Sequence, residues 1–336
     1  MSYFNEEPFY LIYDVLLGMN YHTQRNLLKQ IDTRILNSLC LVIVAYFMFI
    51  LSINENNLYA QNENVTIKTT KLTDSIYMLE GSGGNIAVSV GQDGVFIVDD
   101  QFAPLTEKIK EAISKISDKP IKFVINTHWH SDHTGGNENL GELGATIISH
   151  DNVRKRLSSD QVIEFFNRTV PALSEKGLPI VTFSDNITIH QNGDEVKIVH
   201  VDNGHTDGDS IVYFTKNNVI HVGDDFSDKS YPFIDISSGG SIDGLISALE
   251  TISLTINDET KVISGHTGIS NKTKVNEFTN MLKDIRDQII QMKGEGKSLD
   301  QIIASNITAR YDETYHENTS RKPNDFVTFV YQSLSK

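Results

Sequence analysis

Hydrophobic positions along the chain fall into two regimes. From Ile35 to Ile53 the sequence reads ILNSLCLVIVAYFMFILSI, an apolar run of nineteen residues with no charge. From Val65 onward, short apolar or alternating runs are broken by glycine-rich turns and interspersed with stretches of helical spacing. Period-two runs and short buried runs predict strands, and recurrences of three and four predict helices. Strands are predicted at Val65–Thr69, Ser75–Leu79, Asn85–Val90, Val95–Val98, Lys122–Ile125 and Ala145–Ser149. Thr106–Ile116 reads as a helix, and Asp151–Leu157 as another with Asp151 as its cap. The second half follows the same pattern, with strands at Ile187–His190, Glu195–Val201, Ser210–Phe214, Val219–Val222 and Lys261–Ser264. Its helices are predicted at Gly244–Thr255, Asn276–Met292 and Asp325–Leu334. Strand runs followed by helices, twice over, predict an α/β domain of two packed sheets with helices outside.

The first regime reads as a targeting segment. Arg25, Lys29 and Arg34 precede the apolar run, and Leu58-Tyr59-Ala60 ends in a small residue before Gln61. Positive flank, apolar core and small junction residue predict an export signal over 35–60, and with it a periplasmic address. The alternative is a membrane anchor at 35–53, which is long enough to span a bilayer. Residues 1–34 are long for a leading segment, and Met19 is a more natural start. The expected folded domain occupies 61–336.

The 336 residues suffice for a substantial core. A net charge of −15 weighs against nucleic acid as a partner, because the chain repels phosphate backbones. A small-molecule substrate is expected instead, with no obligate protein partner. The one cysteine, Cys40, lies inside the apolar run, so the domain beyond it has no thiolate nucleophile or cysteine metal ligand.

The densest chemistry is Thr127-His128-Trp129-His130-Ser131-Asp132-His133, directly after a predicted buried strand. On a loop leaving a strand, His128 and His130 can turn to one ion while Asp132 and His133 bend to a second. Imidazole with carboxylate suits zinc. Three further candidates follow predicted strands beside glycines: His205 in GHTDGDS, Asp224 in VGDD and His266 in SGHTG. Strand ends are where open α/β sheets assemble sites. Asp225 competes with Asp224, Asp207 and Asp209 are candidates to orient the His205 imidazole, and His150, His190, His200 and His221 read as core or surface residues. Trp129, Tyr231 and Phe233 are weaker pocket candidates, and 162–179, with Phe165, Phe166 and Leu178, is a candidate pocket wall.

HWHSDH, GHTDGD, VGDD and SGHTG resemble the successive metal motifs of the metallo-β-lactamase superfamily, over essentially all of Val65–Lys336. The resemblance implies a four-layer αββα sandwich of two mixed sheets. It implies one Zn2+ on His128, His130 and His205, a second on Asp132, His133 and His266, and Asp224 bridging them. Asp99 corresponds to an early structural aspartate. The best-known β-lactamases of the superfamily have Arg where His133 stands and Cys where Asp224 stands, so the pattern is nearer the type-II glyoxalases and lactonases. The activity implied for the 61–336 domain is hydrolysis of a β-lactam, lactone, ester or thioester by metal-activated hydroxide, with Asp132 as ligand and catalytic carboxylate. Alternatives on the same ligands are a phosphodiesterase and a mononuclear-iron sulfur dioxygenase.

Overall fold

A computed structural model describes residues 65–316 and 322–335. The expected N-terminal extension and targeting segment (1–34 and 35–60) lie outside the described residues. Among those that are described, no helix is long and apolar enough to cross a membrane.

The first sheet holds β1 (Lys68–Lys71), β2 (Ile76–Glu80), β3 (Ile86–Gly91), β4 (Gly94–Val98), β5 (Ile121–Ile125), β6 (Thr146–His150) and β9 (Val181–Phe183), side by side in that order. Pairing is antiparallel from β1 to β4 and parallel from β4 to β9. Every residue of β4 is buried, which is why Gly94–Val98 reads as a continuous apolar run and not an alternating one. Its hairpin to β3 turns at Gly94, whose φ of 120 excludes an ordinary side chain. The expected first strand, Val65–Thr69, is displaced to Lys68–Lys71. Its register is set by pairing with Tyr77–Glu80, while Val65 and Ile67 pack against the cluster on the sheet's outer face.

The second sheet runs β10 (Asn186–Gln191), β11 (Asp194–His200), β12 (Ser210–Phe214), β13 (Val219–His221), β14 (Lys261–Ile263) and β15 (Ile269–Ser270). Only β13 and β14 are parallel. Met78, Phe96 and Ile125 from the first sheet meet Val196, Ile198 and Phe214 from the second in one buried cluster. Phe96 and Phe214 contact edge to face at 6.0 Å. The outer face of the first sheet is covered by α1 (Thr106–Ser114) through Ile109 and Ile113. The outer face of the second packs on α5 (Ile242–Thr255), α6 (Lys272–Gly294) and α9 (Pro323–Ser333). Helix, sheet, sheet and helix make the αββα sandwich.

Helix starts follow their caps. α5 begins at Ile242 because the Ser241 hydroxyl accepts the Gly244 N–H, and α6 at Lys272 because Asn271 accepts from Lys274. Both precede the expected starts. α4 (Asp151–Leu157) is capped by His150, whose Nδ1 accepts the Asn152 N–H at 3.3 Å. Asp151, expected as the cap, is instead the first helical residue, where its charge complements the helix dipole.

The segment 162–179 carries a hairpin of its own, β7 (Gln161–Ile163) with β8 (Arg168–Val170). A short 3-10 turn at Glu164–Phe166 and Asn167 in the left-handed conformation join the two strands. Short helices α2 (Ser131–Thr134), α3 (Asn137–Glu142), α7 (Leu299–Ala304) and α8 (Asp312–Tyr315) complete the described chain.

Candidate metal centre

The C-terminal ends of β5, β13 and β14 open on one edge of the sandwich. β5 runs into Thr127–His133, β13 into Asp224 and β14 into His266. The loop leaving β11 brings His205, and a hydrogen bond from the Ser210 N–H to the Thr127 carbonyl at 2.8 Å ties that loop to the β5 exit. Two packed sheets thus place all seven predicted donors together. His128, His130 and His205 form one set, Asp132, His133 and His266 another, and Asp224 joins His128 and His133 in a third; within each, the donor atoms lie within 4.8 Å of one another. Asp224 stands between the outer sets, 3.3 Å from His133, 3.2 Å from His266 and 3.7 Å from His205. Asp132 approaches His266 at 3.2 Å and His133 at 3.7 Å.

Four of the imidazoles are held from behind by one ring nitrogen, which leaves the other facing the cluster. His205 Nδ1 donates to the Phe233 carbonyl at 2.7 Å. His133 Nδ1 donates to Asp99 Oδ2 at 2.7 Å. His130 is turned the other way: its Nε2 donates to Asp235 Oδ2 at 3.0 Å, so Nδ1 points inward, 2.9 Å from His205 Nε2. Thr127 Oγ1 donates to Asp99 at 2.8 Å and so accepts from His128 Nδ1 at 3.1 Å. His128 Nε2 is then buried with no hydrogen-bond partner, and Asp224 Oδ1 has none beyond its ion-pair contact with His133. Inward lone pairs and orphaned buried acceptors fit a divalent cation with nitrogen and oxygen ligands, and the outer partners fix the tautomer each ligand needs.

The electrostatics agree with that donor set. Burial and the neighbouring His130 push His205 down to about 4, so its ring is neutral and available as a ligand. Burial, followed by His133, also lowers His128. Burial opposes ionisation of Asp132 and Asp224, yet His133 and His266 hold both carboxyls below the usual range. In return the carboxylates overcome burial at His266 and raise it to about 9, and they raise His133 as well. Protons on these two rings balance the acidic charge, and a bound cation replaces them.

Asp99 and Gln101 adopt positive φ, 64 and 58. This left-handed backbone costs about 1–3 kcal/mol per residue. It turns the Asp99 carboxylate onto the β5 exit, where it also accepts the Thr127 N–H at 2.8 Å.

Other sequence candidates separate clearly. Asp225 is buried away from the donor sets and accepts the His205 N–H at 3.1 Å. Asp207 and Asp209 do not orient the His205 ring. Asp207 pairs with Arg156 at 2.7 and 2.8 Å, and Asp209 accepts from the Thr206 N–H and hydroxyl. Asp235 and the Phe233 carbonyl take the orienting role, and neither stands in a motif that marks it in the sequence. His150 and His200 stack face to face at 3.6 Å, His221 Nε2 donates to the Asn85 carbonyl, and His190 is exposed. Trp129 is buried and donates to Ser238 at 3.2 Å, and Tyr231 is core, its hydroxyl donating to Asp312 at 2.8 Å. Phe233 lines a cavity of about 350 Å3 that opens on the donors, together with Phe165, Phe166 and Phe329.

A two-sheet αββα sandwich with a histidine–carboxylate cluster at its open edge defines the class of fold, one that gathers metal-ligating side chains at its strand ends. The sequence profile of the metallo-beta-lactamase superfamily matches residues 79–278, and the chain belongs to that superfamily. A hydroxyacylglutathione hydrolase from Pelagibacter ubique is 26% identical over 163 residues, 47% of this chain. The chain spans only 57% of that relative's length. A metallo-beta-lactamase from Pontibacter korlensis superposes with a TM-score of 0.54 at 17% identity, over 65% of this chain and 100% of its own. The sec-alkylsulfatase Pisa1 from a Pseudomonas species superposes with a TM-score of 0.59 at 14% identity, over 81% of this chain and 50% of its own.

Proposed function

We propose that the chain is an exported hydrolase that cleaves an acyl bond in a β-lactam, lactone, ester or thioester, with two zinc ions on the seven-residue cluster. The observation that carries this reading is the division of the donors into two sets that share Asp224. Nitrogen and oxygen donors without thiolate suit zinc, and a shared carboxylate suits a dinuclear site. Bound there, two ions supply positive charge that polarises a carbonyl and lowers the pKa of water.

The remaining work falls to the chain. Asp99, Asp235, Thr127 and the Phe233 carbonyl hold four imidazoles in the tautomers that point lone pairs inward. Asp132 lies on the cavity side, its side chain 27% exposed, and is assigned to hold the attacking water and accept its proton at Oδ2. The phenylalanine wall keeps bulk water from the reacting carbonyl and binds the apolar part of a small substrate. Export rests on the apolar run at 35–53 and favours a substrate found outside the cytoplasm.

The test combines metal analysis of the purified protein with turnover of a chromogenic β-lactam, a lactone, a thioester and a phosphodiester. Two zinc ions per chain and acyl turnover abolished by Asp132→Ala support the reading. Turnover of the phosphodiester alone replaces it with a phosphodiesterase, and one iron with no hydrolysis overturns it in favour of oxygen chemistry.

A further inference from the structure

The cavity over the donors has an aromatic wall. Five phenylalanines line it, Phe102 among them, and the other four make one wall: Phe165 and Phe166 from the β7–β8 hairpin, Phe233 from the loop that holds His205, and Phe329 from α9. They contact one another in sequence, with Phe165 4.5 Å from Phe329 and Phe166 5.0 Å from Phe233. Phe165 and Phe166 remain about half exposed, at 46% and 53%, although large apolar side chains usually bury when nothing binds them. The hairpin is fixed by Ile163 and Val170, which enter the core.

The same hairpin carries Arg168, the only lysine or arginine among the described residues that lines the cavity. Its guanidinium donates to Ser131 Oγ at 3.1 Å, next to Asp132. No carboxylate among the described residues pairs with it, whereas Arg156, Arg286 and Arg310 each have an acidic partner. The one carboxylate lining the cavity outside the donor sets, Asp325, is turned back to accept the Lys322 N–H at 3.2 Å. An arginine with free donors facing an apolar chamber matches the planar fork of a carboxylate.

We infer that the substrate is an acyl compound with an apolar body and one carboxylate, the body packed on the four phenylalanines and the carboxylate held by Arg168. This rests on the hydrolase reading of the cluster and names its substrate class. Arg168 is a specificity-determining residue in this assignment, acting on binding and not on bond cleavage.

The experiment uses the metal-loaded protein and paired p-nitrophenyl esters whose acyl chain ends in carboxylate or in methyl. The unaltered enzyme is expected to favour the carboxylate ester. Arg168→Ala is expected to lower kcat/KM for that ester roughly tenfold to a hundredfold, through KM, as loss of a charge-assisted contact requires. The methyl ester is expected to respond within about twofold, and Arg168→Lys to recover part of the preference. Phe166→Ala weakens both esters alike if the ring binds the common body. Equal use of both esters, or the same response of both to Arg168→Ala, overturns the assignment and leaves the hydrolase reading intact. If neither ester turns over, the hydrolase reading fails on these substrates, and calorimetric binding of the free alkyl dicarboxylate half decides the assignment. Binding weakened tenfold or more by Arg168→Ala supports it, and unchanged binding overturns it.

Discussion

Asp235 is the carboxylate on which the orientation of His130 depends, and Asp235→Asn isolates that dependence. One oxygen, Oδ2, accepts from His130 Nε2 at 3.0 Å; the other, Oδ1, accepts the Ser238 N–H at 3.1 Å and the Ser237 hydroxyl. Asparagine keeps the shape but has one acceptor and one donor end. With its oxygen toward Ser238, the amide N–H2 faces His130 Nε2 and forces that nitrogen to accept, which moves the ring proton to Nδ1 and points N–H into the cluster. With the amide reversed, two donors meet at the Ser238 N–H of a buried residue. Either arrangement disables the His130 ligand or leaves a buried group unsatisfied. Loss of such an outer partner lowers metal affinity about 10–100-fold, or about 1.4–2.8 kcal/mol. Under the two-ion proposal, the loss is expected at His128, His130 and His205 and not at Asp132, His133 and His266. Competition of the purified protein against a chromophoric zinc chelator reads the two affinities separately. Equal affinities in Asp235→Asn and the unaltered protein, within about twofold at both steps, would refute the tautomer argument. So would an equal loss at both.

Three other perturbations probe different links. Gly84→Ala places a Cβ against the His133 ring, so it is expected to weaken the second ion at least tenfold while far-ultraviolet circular dichroism stays native; unchanged zinc stoichiometry and affinity would count against the position assigned to His133. Phe278 is fully buried against Phe226 and Tyr315, and Phe278→Ala is expected to cost about 3–5 kcal/mol in denaturant unfolding, a prediction that a loss under about 1 kcal/mol on the same assay contradicts. His150 is depressed by burial and by the stacked His200, so its share of stability is present above the unfolded imidazole pKa of about 6.5 and is lost as pH falls through the lower folded value. His150→Asn keeps a capping acceptor without that titration and should flatten the acid limb of the stability–pH curve; an identical slope in both proteins would show that the ring does not contribute.

The cluster was legible in the sequence because HWHSDH follows a recognisable apolar strand, and His205, Asp224 and His266 follow others and stand beside glycine. Their neighbours allow little else: a Cβ on Gly265 would collide with Asp224, and one on Gly223 would crowd Thr127 at a φ of 52. The two-sheet architecture was legible for the same reason, since β4, β12 and β13 are almost wholly buried. Strand β1 and the β7–β8 hairpin were not. Lys68–Lys71 and Gln161–Val170 are polar or exposed at most positions, and pairing across the chain decides their register without a periodic signal. Asp99, which holds His133, was legible as an early structural aspartate, but the partners of His130 and His205 were hidden. Asp207 and Asp209 sit close to His205 in sequence, but Phe233 reaches the His205 ring across 28 residues and Asp235 the His130 ring across 105, a proximity that only the packed sheets create.

That separation bears on how fold and metal depend on each other. Residues 128–133 leave the first sheet, and His205, Asp224 and His266 leave the second, so no donor set containing residues of both exists until the sheets pack through Phe96, Ile125, Ile198 and Phe214. Once packed, the cluster concentrates inward lone pairs, an orphaned His128 nitrogen and strained backbone at Asp99 and Gln101. The lone pairs and the orphaned nitrogen are unfavourable without a cation, whereas the backbone strain is a cost with or without one. The unfolded chain holds the same residues apart and incurs none of those costs. Metal binding therefore stabilises the packed state over the open one by mass action, by about 2.7 kcal/mol when free ion is a hundredfold above its dissociation constant. Left-handed backbone lies on both sides, at Asp99 and Gln101 beside the first sheet's ligands and at Asn203, φ 52, in the loop that brings His205. The second sheet supplies Asp224 and His266 from strand ends and His205 from the loop leaving β11. The cluster is thus preorganised by strand ends and left-handed turns, and a bound cation would offset the cost of gathering its lone pairs.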